Sequence, residues 1–465
     1  MTASTPPLLA HATRDLAVFA SSLTYADIPP EVIRHAKLCV LDGIGVALHG
    51  AALPWTRAVQ DMAIAEGGNG AASLWGRGQR TSWSQAVLAN STAGHAFEMD
   101  DMHKDSVLHP NSIAVPIALG YAESVGGMHG RDVLTAIIAG YEVGTRVGNA
   151  ATTRLFLNGF HPQGTSGTFV AGATAGRLCG LDPEKMQHAL GTAGSMASGL
   201  MAAQEGAMVK RLHAGRAAQS GVYAALLAQR GFTGISDVLE AGYGGFLSSL
   251  SREPDLSRLT NGLGSVWETL KVGFKMYPSV TSIHSALDAL QTIMRTHSLA
   301  AEAIEAIEVG VGHMTYVHTA WTYQPAGVTA AQMNMFFGLA TMARHGDVTV
   351  DDFAEARLAD PTLMDFMRRI AVHEDAEIEA LGRDARHACR MTVTTRSGQI
   401  IQEVVHDRRG SPENPVSRDA LEAKFRRNVR HCLPDAQAAR VMALVADLDT
   451  AESTRELTDI LARTW

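Results

Sequence analysis

The sequence predicts a mainly α protein: a large helical domain, with a smaller α+β domain inserted between its two parts. Three observations carry this. The first 270 residues repeat Ala/Gly-rich segments with apolar residues at helical spacing. After them come short β-branched runs that alternate or flank a turn. The last 45 or so residues return to amphipathic helix. The expected division is 1–270 with 410–465 for the helical domain and 271–409 for the α+β domain.

The elements follow in order. "IPPEVIRHAKLCVLDGIGVALHG" carries helical apolar spacing, with Pro29 and Pro30 near its start and Gly50 at its end. "TSWSQAVLANSTAGHAFEMDD" starts from a Thr81/Ser82 cap and runs into a charged stretch. "SIAVPIALGYAESV", "RDVLTAIIAGYEVGTRVG", "TFVAGATAGRLCGL" and "GRAAQSGVYAALLAQRGF" continue the pattern. They are apolar around most of their circumference, as expected of helices buried inside a bundle. "IEAIEVGVG" then reads as a strand. "CRMTVTTRSGQIIQEVVH" reads as a hairpin about Ser397-Gly398, with the helical "AAQMNMFFGLATMARHG" between them.

Bulk properties exclude several classes. The 465 residues are 46% hydrophobic and 18% charged, with a net charge of −8. No basic block suggests nucleic acid. No apolar run reaches a membrane span of roughly 18 residues, and the N-terminus lacks the layout of a signal peptide. Cys39, Cys179, Cys389 and Cys432 form no C-x-x-C pair, which argues against structural zinc or an iron–sulfur cluster. Scattered thiols fit the cytoplasm.

Ionisable chemistry is concentrated in a few segments. "HAFEMDDMHKDSVLHP", His95–Pro110, holds four carboxylates, three histidines and a lysine. Asp100, Asp101 and Asp105 have a spacing that suits Mg²⁺, and His95, His103 and His109 could ligate a transition metal. No second Asp-rich motif accompanies them, and a solvated helix end is the plain alternative. "NGFHPQGTSGTF" sets His161 in a Gly-rich turn before a helix whose Thr165, Ser166 and free backbone N–H groups would seat an anion. "MVKRLHAGRAA" carries Lys210, Arg211, His213 and Arg216. "GFKMYPSVTSIHSALDAL" carries Lys275, Tyr277 and His284. "YGGFL" reads as a turn without chemistry of its own. Cations would bind carboxylates by charge-assisted hydrogen bonds. Histidines would move protons near neutral pH. The set suits breaking a C–H bond beside a carboxylate without a redox cofactor.

These same segments, in this order, resemble the MmgE/PrpD family, whose members include 2-methylcitrate dehydratase, cis-aconitate decarboxylase and iminodisuccinate epimerase. The resemblance runs through nearly the whole chain. It implies a helical domain with an α+β lid domain, a homodimer, an active site between the domains, and neither metal nor organic cofactor. It assigns the catalytic groups to His109, His161, Lys210 and Lys275, and the family's active-site acid to Glu98. Asp101, His103, Arg211, His213, Tyr277 and Tyr323 are expected around the substrate, while Asp100, Lys104 and Asp105 read as solvated loop. The chain departs from the family pattern at Met102, Val280 and Trp321, where a hydroxyl, a histidine and a tyrosine occur in relatives. The expected function is a cofactor-independent lyase of a small polycarboxylate, dehydrating a 2-methylcitrate-like acid or decarboxylating a cis-aconitate-like one. The alternatives are an epimerase of a dicarboxylic acid derivative and a member that only binds a metabolite.

Overall fold

A computed structural model describes residues 11–382 and 385–464. The first residues of the segment inspected for a targeting signal lie outside the described residues. The described chain is mainly α and forms two compact units. One gathers the described residues of Met1–Ala203, Ala207–Gly273 and Ser417–Trp465. The other gathers those of Gln204–Gly206 and Phe274–Val416.

The first unit is a helical bundle. Its inner helices, Trp83–Gly94, Asn111–Ser124 and Gly167–Leu178, are buried on nearly every face, as their apolar circumference requires. Two glycines of the helix Val209–Gln229 let it sit against them. A Cβ on Gly215 would fall 2.3 Å from the Leu88 carbonyl oxygen, and one on Gly221 would fall 2.2 Å from the Cβ of Ala171. The small residues therefore set the interhelical distance. Among the described residues no single helix is long and apolar enough to cross a membrane.

The helical reading misses two small features of this unit. Ala72–Leu74 pairs antiparallel with Gln79–Thr81 through a turn holding Gly76 and Gly78 at positive φ. Met102–His103 pairs with Val272–Gly273. Strands of two or three residues are too short to show a period of two.

The second unit holds a four-stranded mixed sheet in the order Ile370–Glu374, Ile304–Val311, Cys389–Thr395, Ile400–Val405. The first pair is parallel and the others antiparallel. Cys389–Thr395 alternates between buried and half-buried positions, the signature of a strand with one covered face. Gly398, at φ 83°, turns the expected hairpin. The segment read as one helix at 330–346 is broken: Asn334 caps a new helix, Met335–His345, by accepting from the Phe337 N–H, and Gly346 ends it in the left-handed region.

Candidate active site

The stretch His95–Pro110 links two buried helices of the first unit, Trp83–Gly94 and Asn111–Ser124. It is an irregular loop held inside the bundle, so its charges need partners. Its conformation is unusual: Glu98 and Val107 adopt φ of 47° and 55°, a region non-glycine residues rarely occupy. Such strain persists only where the surroundings enforce it, and here they do. The His103 N–H donates to the Leu108 carbonyl at 2.8 Å. The Asn111 N–H donates to the Asp101 carboxylate at 3.1 Å, and the Tyr141 hydroxyl donates to it at 2.8 Å.

Asp100 corrects the solvated-loop reading. It is fully buried, and its carboxylate meets His95 Nδ1 at 2.6 Å. Lys104 and Asp105 are only half-buried. Burial drives the Asp101 carboxyl well above the usual carboxylate range, with Asp42 and Asp100 adding to the rise against the hydrogen bonds of Asn111 and Tyr141. Lys424, from the returning C-terminal segment, offsets this acid cluster. Its ammonium donates to Asp42 at 2.6 Å and to the Met99 carbonyl at 2.8 Å.

Two of the three histidines of the loop share Asp100, whose second oxygen lies 3.5 Å from His109 Nδ1. His95 faces Asp100. His109 Nδ1 lies 2.6 Å from the Asp101 carbonyl oxygen. His103 lies between the Ser106 hydroxyl at 2.9 Å and Glu268 at 3.1 Å. Asn149 also donates to Glu268, at 2.9 Å. Burial pushes the Glu268 carboxyl up, but His103 and Lys271 outweigh it and bring it down to about 2. Among the described residues no three His, Cys, Asp or Glu side chains form a metal-binding group.

Four imidazoles form a file. The ring of His95 is 5.2 Å from that of His109 and 5.7 Å from that of His161, and His161 is 5.0 Å from His213. His95 Nε2 is buried without a hydrogen-bond partner among the described residues. His161 and His213 meet through their Nδ1 atoms at 2.8 Å. Burial, then the charges of His95 and Lys210, hold His161 well below the usual histidine range. The same causes lower His213 to about 4.

Beside the file, the first turn of the helix Val209–Gln229 brings in Lys210 and Arg211. Both are buried and both donate to Glu98 Oε1, Arg211 at 2.8 Å. Two cations at a helix N-terminus oppose the helix dipole, and the Glu98 carboxylate offsets part of that. At the expected anion seat the Ser166 hydroxyl is buried without a hydrogen-bond partner among the described residues, while the neighbouring donors are taken. The N–H groups of Gly167, Thr168 and Phe169 already donate to Pro162, Thr165 and Ser166, and the Thr165 hydroxyl to His161. The turn continues the helix backwards, and the His161 carbonyl is held by the Gly164 and Thr165 N–H groups and the Thr165 hydroxyl.

The remaining expected residues belong to the second unit. Lys275 is buried. The Tyr277 hydroxyl donates to Asp288 at 2.8 Å, and burial, then Asp288, raise its pKa. The Tyr323 hydroxyl donates to the Leu358 carbonyl at 2.8 Å, and burial pushes it up to about 12. Sequence reasoning gave His95 no role beyond metal ligation and passed over Asp42, Glu268 and Lys424. The first had a signal, a histidine five residues before an aspartate. The others had none, because their partners are far away in the chain.

Comparison with known proteins supplies the class. Residues 14–259 match the MmgE/PrpD N-terminal domain, and residues 277–450 match the MmgE/PrpD C-terminal domain. The chain belongs to the MmgE/PrpD family. It is similar to a cis-aconitate decarboxylase of Aspergillus terreus, 30% identical over 97% of this chain and 95% of that one. It also resembles a cis-aconitate decarboxylase-like protein of Aspergillus oryzae, 29% identical over 99% of each chain. The human cis-aconitate decarboxylase is 26% identical over 98% of this chain and 95% of its own.

Proposed function

We propose that this enzyme is a lyase of a small polycarboxylate, and that decarboxylation of a cis-aconitate-like acid is the reaction its site suits best. One observation carries the reading: the buried pair Lys210 and Arg211, sharing a single Glu98 oxygen, beside a file of four histidines in the same unit. The relatives' names favour decarboxylation over dehydration.

In this mechanism the cations take substrate carboxylates by charge-assisted hydrogen bonds. They stabilise the negative charge that develops on carbon and its neighbouring carboxylate as CO₂ leaves. His161, kept neutral by burial, then delivers a proton to that carbon. His109, fixed by the Asp101 carbonyl, is the second acid–base candidate. The family resemblance assigns a further cation, Lys275, to the same reaction. A dehydratase would use the same groups to remove a C–H proton and protonate a leaving hydroxyl.

The test is a screen of cis-aconitate, citrate and 2-methylcitrate. CO₂ release, alkene absorbance and proton exchange in D₂O are followed together. CO₂ with an unsaturated dicarboxylate is the expected outcome. Alkene formation without CO₂ would reassign the enzyme as a dehydratase, and exchange without net conversion as an epimerase. No reaction at all would leave a metabolite-binding protein.

A further inference from the structure

The Nδ1 atoms of His161 and His213 face each other at 2.8 Å, with both rings buried. A neutral imidazole carries one N–H and one bare nitrogen. Two neutral rings meeting through like atoms can bond only if one carries its proton on Nδ1 and the other on Nε2. The two tautomers are therefore locked in opposition. From this geometry we infer that His213 is a positioning residue that sets the tautomer of His161, so that the pair passes a proton as one unit. This deepens, and rests on, the reading of His161 as an acid–base group.

Each arrangement gives His161 a different role. When His213 donates through Nδ1, His161 carries its proton on Nε2 and is an acid. When His161 donates, its Nε2 is bare and it is a base. Decarboxylation consumes one proton at carbon. His161 Nε2–H gives that proton up, His213 Nδ1–H crosses to His161 Nδ1, and His213 Nε2 takes a proton from water, whose hydroxide is taken up by the released CO₂ as bicarbonate. Both rings remain neutral, and the proton balance closes on the one fixed in product. The reverse shift, with water at both Nε2 atoms, resets the pair. The same pair run backwards removes a C–H proton, as a dehydratase or epimerase needs. Burial supports the neutral state of both rings, since it lowers His161 and His213 alike.

The neighbours shape the pair without joining it. His161 is held by its backbone, its N–H donating to the Gly199 carbonyl at 3.0 Å. His213 stands one turn along the same helix as Lys210. That neighbour adds positive charge and disfavours an imidazolium in the pair.

Two experiments decide this. The first needs no substrate: ¹⁵N-histidine NMR of the full chain, with His161→Gln and His213→Gln used for assignment. A ¹⁵N–¹⁵N coupling through the hydrogen bond joins the two Nδ1 signals if the inference holds. Both rings protonated on Nε2, with no coupling, overturns it. The second is the kinetics of His213→Gln, which keeps a polar side chain but cannot pass a proton through itself. A fall in kcat of about 10²-fold is expected, with KM nearly unchanged. Free imidazole should restore part of the activity of His213→Gly. A raised KM with unchanged kcat would overturn the inference and make His213 a direct substrate ligand. If the wild-type enzyme turns over none of the acids, the proposed function falls, while the coupling still decides whether the two rings share a proton.

Discussion

Two buried charged clusters lie side by side in the helical unit, and they are built differently. In the first, the carboxylates of Asp42 and Asp101 are saturated by Asn111, Tyr141 and Lys424, although Asn111 Oδ1 is itself buried without a hydrogen-bond partner among the described residues. Both oxygens of Asp42 and both of Asp101 accept from fixed donors. In the second, Glu98, Lys210 and Arg211 stand beside rings whose protons have two places to be. Buried charge alone therefore does not mark chemistry. A network whose carboxylates are all taken fixes a loop, whereas a network whose protons can move between rings can exchange them with a substrate.

The largest break in this comparison is expected at Lys210. Lys210→Ala removes a cation from the second cluster and leaves the first intact. The value of kcat/KM on the substrate identified by the screen should fall about 10²–10⁴-fold, with the circular dichroism spectrum unchanged. His161→Ala should do the same. Near-normal turnover in either variant would remove the distinction between the clusters.

Lys424→Met attacks the saturated cluster instead. It strands the Asp42 carboxylate among buried neighbours and frees the Met99 carbonyl at the root of the loop. Breaking a buried pair from one side costs about 3–5 kcal/mol, so the expected result is a lower unfolding midpoint in denaturant. The folded fraction should keep its kcat. A stable variant with damaged kcat would mean that Lys424 belongs to the chemistry and that the two clusters are one.

Asp100 sits at the boundary and sharpens it. Asp100→Asn keeps the shape but gives His95 Nδ1, and more distantly His109 Nδ1 at 3.5 Å, an amide in place of a carboxylate, so it is read beside His95→Gln, which leaves His109 its carboxylate. If His95 only fills space, kcat is unaffected. If its Nε2 carries protons for the file, kcat falls on the order of tenfold, about 1.4 kcal/mol of barrier.

Some of this was legible in the sequence for a simple reason: local pattern reports local structure. The helices buried all round showed in their Ala and Gly content, and the hairpin showed in two β-branched runs about Ser397-Gly398. The loop 95–110 announced itself because its charges interrupt apolar sequence. What those charges do was not legible. Asp100 looked solvated because its burial depends on helices folding around it. Asp42 and Lys424 are 382 residues apart, and nothing in either segment points to the other. At the turn before the helix, only the folded chain shows which N–H groups already donate to preceding carbonyls, and that the Ser166 hydroxyl does not. Long-range pairing and the use of backbone donors are properties of the closed fold, not of any window of residues.

The smallest effect is expected at Lys271, which belongs to neither cluster but to the pairing of Glu268 that supports His103. Lys271 is about half exposed and lies 2.8 Å from Glu268, which also accepts from His103 and Asn149. Glu268 is held down at about 2, below its ordinary 4.5. A carboxyl depressed in the folded state stabilises the protein above its unfolded pKa. That stability is lost as pH falls from about 4.5 toward 2. Lys271→Met removes one depressing partner, so the Glu268 pKa rises toward, but not to, its ordinary value. At neutral pH the loss should stay below about 1 kcal/mol, because a half-exposed pair is screened by solvent. In thermal melts across that acid range, the variant and the wild type should converge as pH falls, since the interaction that differs between them is the one being protonated away. A gap that widened on acidification would show that Lys271 acts on another group, and that Glu268 is held by His103 and Asn149 alone.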